Sequence, residues 1–424
     1  MRVLLIQSFL GGKEPPVYPL GLACLKAQLK DHEVRAFDMN VSDDPFNALK
    51  REVESFRPEA IGISLRNIDS TNKREVVFYY EYLKKTVDLI KPLSDARLII
   101  GGSGFSMYAK EIMADEPRLD YGVFLEGEFI FPKLLENLDG PEKVNGVFYR
   151  KSGRVAFSGG GGQVDLNTVA IPARDFTPME KYRDVPEAIG IETKRGCALK
   201  CIYCIYGFLN GSKYRLRDPK MIVDEVEALV GKYGAKRFTF VDSVFNIPIK
   251  HAEAICREMI SRKVKAEWSA WFSEREITPE FIDLAVEAGC RKVILSPDGF
   301  SDAVLKALQK NLTKKDITGA FKVLSSKEGY EVSYNFFKNP PGQSLGAFVS
   351  LALFCARARL KMGKRVHFEF NSMRVEPHTK LFEIALKDGF VTKDDNLLHP
   401  KYYTNPGTKY IEDAFNFALK LKGK

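Results

Sequence analysis

The sequence predicts an α/β protein in two parts: a doubly wound, Rossmann-like or flavodoxin-like parallel sheet, then a partial (β/α)6 barrel of the TIM type with a small C-terminal extension. Three observations carry this. Short apolar runs alternate with amphipathic helical runs over residues 2–128, and again from residue 189 onward. A turn-rich, glycine-rich stretch separates the two regions. The length, 424 residues, exceeds what one hydrophobic core organises.

In the first region "RVLLIQ" predicts a strand, "PLGLACLKAQLKD" an amphipathic helix and "EVRAFDM" a second strand. "PFNALKREVESFRP" predicts a helix, "AIGISL" a strand, "REVVFYYEYLKKTVDLIKPL" a long helix, and "ARLIIGG" and "YGVFLEGE" two further strands. Ligands of such sheets sit beyond the carboxyl ends of the strands. The residues to inspect are therefore Ser64, Leu65, Arg66 and Asn67, then Gly101 and Gly102, then Glu126, Gly127 and Glu128. At Gly101 and Gly102 the missing side chains allow close approach of a flat ligand to the backbone.

The first domain is expected over residues 1–140, with a linker at 141–188. "GVFYRKSGRV" predicts a hairpin turning at Ser152-Gly153. "SGGGGQ" lacks the following Gly-Lys-Ser/Thr of a phosphate loop and fits a flexible connector. The second domain is expected at 189–384 and an extension at 385–424. Strands are predicted at "RFTFVDS", "AEWSAWF", "KVILSPD", "EVSYNFF" and "RVHFEFNSMRV", with helical runs between them. Six β-α units are too few for a closed eight-stranded barrel and suit an open one, whose site lies at the strand carboxyl ends.

Composition narrows the functional classes. The net charge is +9, but the basic residues are spread along the chain without an aromatic-basic stripe, so nucleic acid is not expected as a partner. The C-terminal "ALKLKGK" is expected to be a solvated helix end. No apolar run is long enough to span a membrane, and the start fits a buried strand better than a signal peptide, so a cytoplasmic location is expected. Of the seven cysteines, Cys24, Cys256, Cys290 and Cys355 are scattered singly, as small buried hydrophobes are.

The other three, Cys197, Cys201 and Cys204, fall within "RGCALKCIYC". A chain of this composition shows such a pattern by chance about 0.002 times. Thiolates select zinc or iron-sulfur clusters. Zinc takes a closed set of four ligands, and no second cysteine or histidine pair follows. A four-iron cubane held by three cysteines keeps one iron open for another ligand.

This Cys-x-x-x-Cys-x-aromatic-Cys loop resembles that of the radical S-adenosylmethionine (SAM) superfamily. The resemblance implies a [4Fe-4S] cluster whose open iron is chelated by SAM, with Tyr203 flanking the adenine. "FVDSVFN" is similar to the family's Asp-Asp-x-Phe stretch, which makes Asp242 and Ser243 expected contacts of the SAM amino or ribose groups. "LSPDGFSD" resembles Gly-Ile-Glu-Ser, with Asp298 for the glutamate. "NPPGQS" resembles Gly-x-Pro-Gly-Glu-Thr, with Asn335 upstream on its strand.

Residues 1–140, with "IGISL", "LIIGG" and "FLEGE", resemble the cobalamin-binding domain that precedes many radical SAM cores. Cobalamin mutases carry a histidine that binds cobalt from below. Asn40, in "DMNVSD", stands in its place here, and no histidine lies between His32 and His251. The lower face of cobalt is therefore expected to lack a histidine, with Arg66 or Asn67 near it. The implied function is methyl transfer from SAM, through methylcobalamin, to an unactivated sp3 carbon, with a peptide, protein or small molecule as substrate and a flavodoxin- or ferredoxin-type electron donor. A cobalamin-dependent cyclase or ring contractase would use the same two modules. The tail "MRVEPHTKLFEIAL" resembles the family's closing strand and helix. Arg374 and Tyr403 are expected to act on the substrate, with Glu376, His378 and Tyr402 nearby.

Overall fold

The computed structural model describes residues 1–421, which divide into two compact units. The first comprises Met1–Gly190 with Leu209–Gly211 and Ala228–Ala235; the second holds the remainder. The helix predicted at "ALKLKGK" reaches Leu421, and residues 422–424 lie outside the described residues.

The first unit is built on a sheet of β1 (Arg2–Gln7), β2 (Glu33–Asp38), β3 (Ala60–Ser64), β4 (Arg97–Gly101), β5 (Tyr121–Val123), β6 (Val147–Lys151) and β7 (Arg154–Phe157). Their order is β2-β1-β3-β4-β5-β6-β7, parallel through β5 and antiparallel beyond it. Strands covered on both faces are apolar throughout rather than alternating. Val3, Leu4, Leu5 and Ile6 of β1 are accordingly all fully buried.

Between these strands run α1 (Leu20–Gln28), α2 (Pro45–Phe56), α3 (Tyr79–Ile90), α4 (Ser103–Met107), α5 (Ala109–Asp115) and α6 (Ile130–Leu135). Helix α2 shows how sequence sets such an element. Asp44 caps it, its carboxylate accepting from the Asn47 amide, and Pro45 fills the first turn, where a missing N–H costs nothing. Leu49, Val53 and Phe56 bury one face, and Arg57 in the left-handed region (φ 49°) ends it.

Two expectations change here. The long helix predicted from Arg74 begins only at Tyr79. Residues 69–78 fold back instead, with Asp69 bridged to Phe78 and the Ser70 amide donating to the Val77 carbonyl at 3.0 Å. The hairpin at 147–157 forms as predicted, through positive φ at Ser152 and Gly153, but adds its two strands to the first sheet. Residues 141–188 thus belong to the first unit.

The second sheet consists of β8 (Gly190–Ile191), β11 (Arg237–Phe240), β12 (Glu267–Phe272), β13 (Cys290–Asp298), β14 (Glu331–Phe337) and β15 (Val366–Asn371), in the order β15-β14-β13-β12-β11-β8, and from Ile191 on its strands belong to the second unit. Two small antiparallel pairs flank it, β9 (Lys194–Arg195) with β10 (Arg215–Leu216), and β16 (Met373–Arg374) with β17 (Tyr402–Tyr403). From β11 to β15 neighbouring strands are parallel, as an open β/α barrel requires. The helices are α7 (Tyr206–Leu209), α8 (Pro219–Gly231), α9 (Ile249–Ser261), α10 (Pro279–Glu287), α11 (Asp302–Ala307), α12 (Lys314–Ser325), α13 (Leu345–Met362), α14 (Lys380–Lys387) and α15 (Lys409–Leu421). Among the described residues, no helix is long and apolar enough to cross a membrane.

Candidate cluster and cofactor site

The cysteine loop follows β9 and runs into α7, at the carboxyl-end side of the second sheet's first strand. Two backbone bonds anchor its middle: the Ile202 amide donates to Leu308 O at the end of α11 (3.1 Å), and the Leu381 amide at the start of α14 donates to Ile202 O (2.8 Å). Gly196, with φ 91°, turns the chain into the loop, and Ser243 Oγ lies 3.5 Å from its carbonyl. Cys197 is buried, Cys201 and Cys204 are half-buried, and all three thiols are free.

Burial raises the Cys201 thiol, against the nearby Lys310 charge, and pushes Cys204 up to about 12. Buried thiols stay protonated until a metal displaces the proton. The three sulfurs lie within one another's electrostatic reach. Yet no three His, Cys, Asp or Glu side chains among the described residues converge on a single ion position.

Around the loop, the barrel's carboxyl ends supply polar groups. Tyr203 donates its hydroxyl to Asp298 and sets its ring edge-on to Phe337, with centroids 4.8 Å apart. Asp298 ends β13 at φ 64°, after a register break between Leu295 and Asp298. A non-glycine residue there stores strain. Asn335 Nδ2 donates to Ser296 Oγ at 3.3 Å, while its Oδ1 is buried without a hydrogen-bond partner. Glu274, just beyond β12, is 3 % exposed, and its Oε1 has no partner either. Burial pushes the Glu274 carboxyl up to about 7, against the pull of Lys310. Buried acceptors are normally satisfied, so two orphans at strand carboxyl ends fit a site whose remaining donors come from a ligand. Glu274 and Lys310 escape the sequence reading. The only signal for Glu274 is its place directly after the strand "AEWSAWF".

Asp242, expected at SAM, is committed elsewhere. Its Oδ1 accepts from the Thr193 and Lys194 amides (2.8 and 3.2 Å), and its Oδ2 from the Thr193 hydroxyl and Lys194 Nζ (3.0 Å). Four donors fill a carboxylate's lone pairs, and Lys194 and Asp242 form a buried ion pair that fixes β9 beside β11. Arg374 and Tyr403 are likewise committed to the C-terminal hairpin. Arg374 Nη1 pairs with Glu376 (2.6 Å), Arg374 Nη2 donates to Leu397 O (3.2 Å), and the Tyr403 hydroxyl donates to Asp388 (2.9 Å). His378 does reach the cysteine side, stacked on Phe208 with centroids 4.0 Å apart.

In the first unit the carboxyl-end loops gather as expected. The Leu65 amide donates to Gly101 O (2.9 Å), the Gly104 amide to Leu65 O (2.9 Å), and Ser103 Oγ to Arg66 O (2.6 Å). The close approach at Gly102 is made by this chain itself. At φ 98° and ψ 169°, a Cβ on Gly102 would stand 2.6 Å from Leu65 O. At Gly101 a Cβ would meet only ordinary contacts. Glu126 accepts the Val164 amide at 2.7 Å, and the carbonyl of Gly127 accepts from Phe131 at 2.9 Å, so that turn holds the first unit's own chain; Glu128 is buried beside it. Asn40 is engaged by its own chain, its Oδ1 accepting from the Leu10 amide (2.8 Å) and its Nδ2 donating to Ser8 O (3.0 Å) and Asp38 (2.8 Å). Ser8 Oγ, fully buried at the end of β1, has no partner, and the Arg66 charge reaches Asp38. A polar cofactor fits these loops.

Residues 13–135 match the model of the B12 binding domain, and residues 191–355 that of the radical SAM superfamily. An uncharacterized methyltransferase of Pyrococcus horikoshii is 22% identical over 95% of this chain and 88% of its own length. The cytidylyl-2-hydroxyethylphosphonate methyltransferase of Streptomyces wedmorensis is 27% identical over 69% of this chain, which spans 63% of that protein. The solved structure of the radical SAM methyltransferase TsrM from Kitasatospora setae, with cobalamin and a [4Fe-4S] cluster, shares the fold at a TM-score of 0.81 and 23% identity, covering 96% of this chain and 79% of that one. Two family models thus meet on one chain, a B12-binding domain over residues 13–135 and a radical SAM domain over residues 191–355, and the cofactors these two domains imply are cobalamin, a [4Fe-4S] cluster and SAM.

Proposed function

We propose that this chain is a cobalamin-dependent radical SAM methyltransferase acting on an unactivated sp3 carbon. The observation that carries the reading is the free cysteine trio without a fourth partner, set at the carboxyl ends of an open barrel and preceded by a B12-binding domain. An sp3 carbon is no nucleophile, so the bound cofactors supply radical and methyl-transfer chemistry that amino-acid side chains lack.

The chain's own residues bind and orient. Cys197, Cys201 and Cys204 hold three irons and leave the fourth to SAM. The unpartnered Glu274 Oε1 and Asn335 Oδ1 offer acceptors to ammonium or hydroxyl donors at the same carboxyl ends. Tyr203 and Phe337 supply flat apolar surface beside them. In the first unit, the loops at Ser8, Ser64–Asn67 and Gly101–Gly102 would hold the corrin, with the Asn40 side chain bonded to Leu10, Ser8 and Asp38. This reading takes a peptide, protein or small molecule as substrate and a low-potential flavodoxin- or ferredoxin-type protein as electron donor.

Anaerobic reconstitution with SAM, a reductant and a panel of peptides and small molecules tests this. The expected result is a product heavier by one CH2. Steady SAM cleavage with a substrate rearranged at unchanged mass would instead assign a cyclase or ring contractase.

A further inference from the structure

Lys310 follows α11, in a stretch that on sequence grounds resembles any surface lysine. The fold buries it: its side chain is 10% exposed. Its ammonium is held at three points. It donates to Asp298 Oδ2 at 2.7 Å, to Ser296 O at 2.7 Å and to the Tyr203 hydroxyl at 3.3 Å. Tyr203 lies between Cys201 and Cys204, and its hydroxyl also bonds Asp298. The same segment reaches the loop through backbone, since Leu308 O accepts the Ile202 amide and the Lys310 amide closes α11 on Leu305 O at 2.9 Å. A strand irregularity and a left-handed aspartate are maintained at Asp298 to aim its carboxylate here. Strain of this kind persists only where surrounding structure enforces it. The Glu274 carboxyl, whose Oε1 is unpartnered, lies within electrostatic reach of the Lys310 ammonium.

We propose that Lys310 and Asp298 are an opposed pair of positioning residues that sets the reduction potential of the cluster held by Cys197, Cys201 and Cys204. The proposal rests on the cluster reading of those cysteines. A fixed cation beside the loop favours the reduced, more negative cluster; the bonded carboxylate attenuates that effect. Protein charges and hydrogen bonds near the sulfurs are established levers on such potentials. The donor geometry also leaves no freedom to the cation: two of its three hydrogens go to Asp298 and Ser296, and the third to the ring hydroxyl inside the cysteine loop.

The test is an EPR-monitored redox titration of the anaerobically reconstituted full chain without SAM, together with iron and sulfide analysis. Lys310→Met is expected to lower the midpoint potential, Asp298→Asn to raise it, and Lys310→Arg to stay near the parent. Opposite signs separate this role from mere support of the fold, which both substitutions would weaken alike. Shifts of the same sign, or none in variants that retain their iron, overturn the proposal. If Lys310→Met loads no cluster, the sign of the Asp298→Asn shift decides. A parent protein that itself takes up no iron would refute the cluster reading instead, a separable outcome.

Discussion

Glu274 carries a carboxyl that burial lifts from an ordinary value of 4.5 to about 7. The folded state then binds its proton more tightly than the unfolded chain, so stability is undiminished below about pH 4.5 and falls as pH rises toward 7. At 1.36 kcal/mol per unit, the loss is about 3 kcal/mol in the cofactor-free protein, and it levels off above pH 7. Glu274→Gln cannot ionise. Urea denaturation of both proteins should therefore show the variant gaining on the parent by about 3 kcal/mol between pH 4 and pH 8. A difference that stays constant across that range would show that Glu274 is not held neutral. At this scale the cysteines were legible, because their spacing is local and few other structures need it. Lys310 and Glu274 were not. Each acquires its neighbours only when β12, β13 and α11 converge, and nothing in "LQKN" or "FSERE" marks that convergence. The partners of Asp242 are hidden in the same way, since Lys194 and Thr193 meet it only when β9 and the end of β11 come together.

The elements were legible wherever an apolar period was strong. Helix α2 shows its cap, its first-turn proline and its apolar stripe in sequence. The start of α3 was misplaced because the apolar residues of "REVVF" extend its pattern backward, while the Asp69–Phe78 bridge draws them into a loop. The hairpin is legible in sequence but its partner strand is not, since edge pairing onto β5 is a long-range event. The turn after β4 yields a test. Gly102 combines a backbone conformation reserved for glycine with a Cβ position 2.6 Å from Leu65 O. Gly102→Ala should cost at least about 2 kcal/mol and lower the melting temperature of the first unit. An unchanged melt would show that the 65–67 loop moves freely away from β4. Gly101→Ala, where ordinary contacts await a Cβ, is the expected mild control.

Across the whole molecule, alternation of strand and helix specified both sheets, and local cysteine spacing specified the chemistry of the second. What sequence periodicity could not supply was the boundary. The stretch at 141–188 is rich in turns, yet it is packed into the first unit, with Tyr182 donating to Asp38 (2.6 Å) and Arg174 to Gly190 O (2.6 Å). Glycine content reports local freedom and says nothing of such distant bonds. The substrate is equally invisible, because no local motif in the sequence encodes it. One measurement bypasses the substrate altogether. The anaerobically loaded protein is incubated with a low-potential reductant and SAM deuterated in its methyl group, and the protein-bound corrinoid is then extracted and weighed by mass spectrometry. Methyl transfer by this chain predicts deuterated methyl on the corrinoid; an unlabelled corrinoid, with SAM consumed, would contradict it.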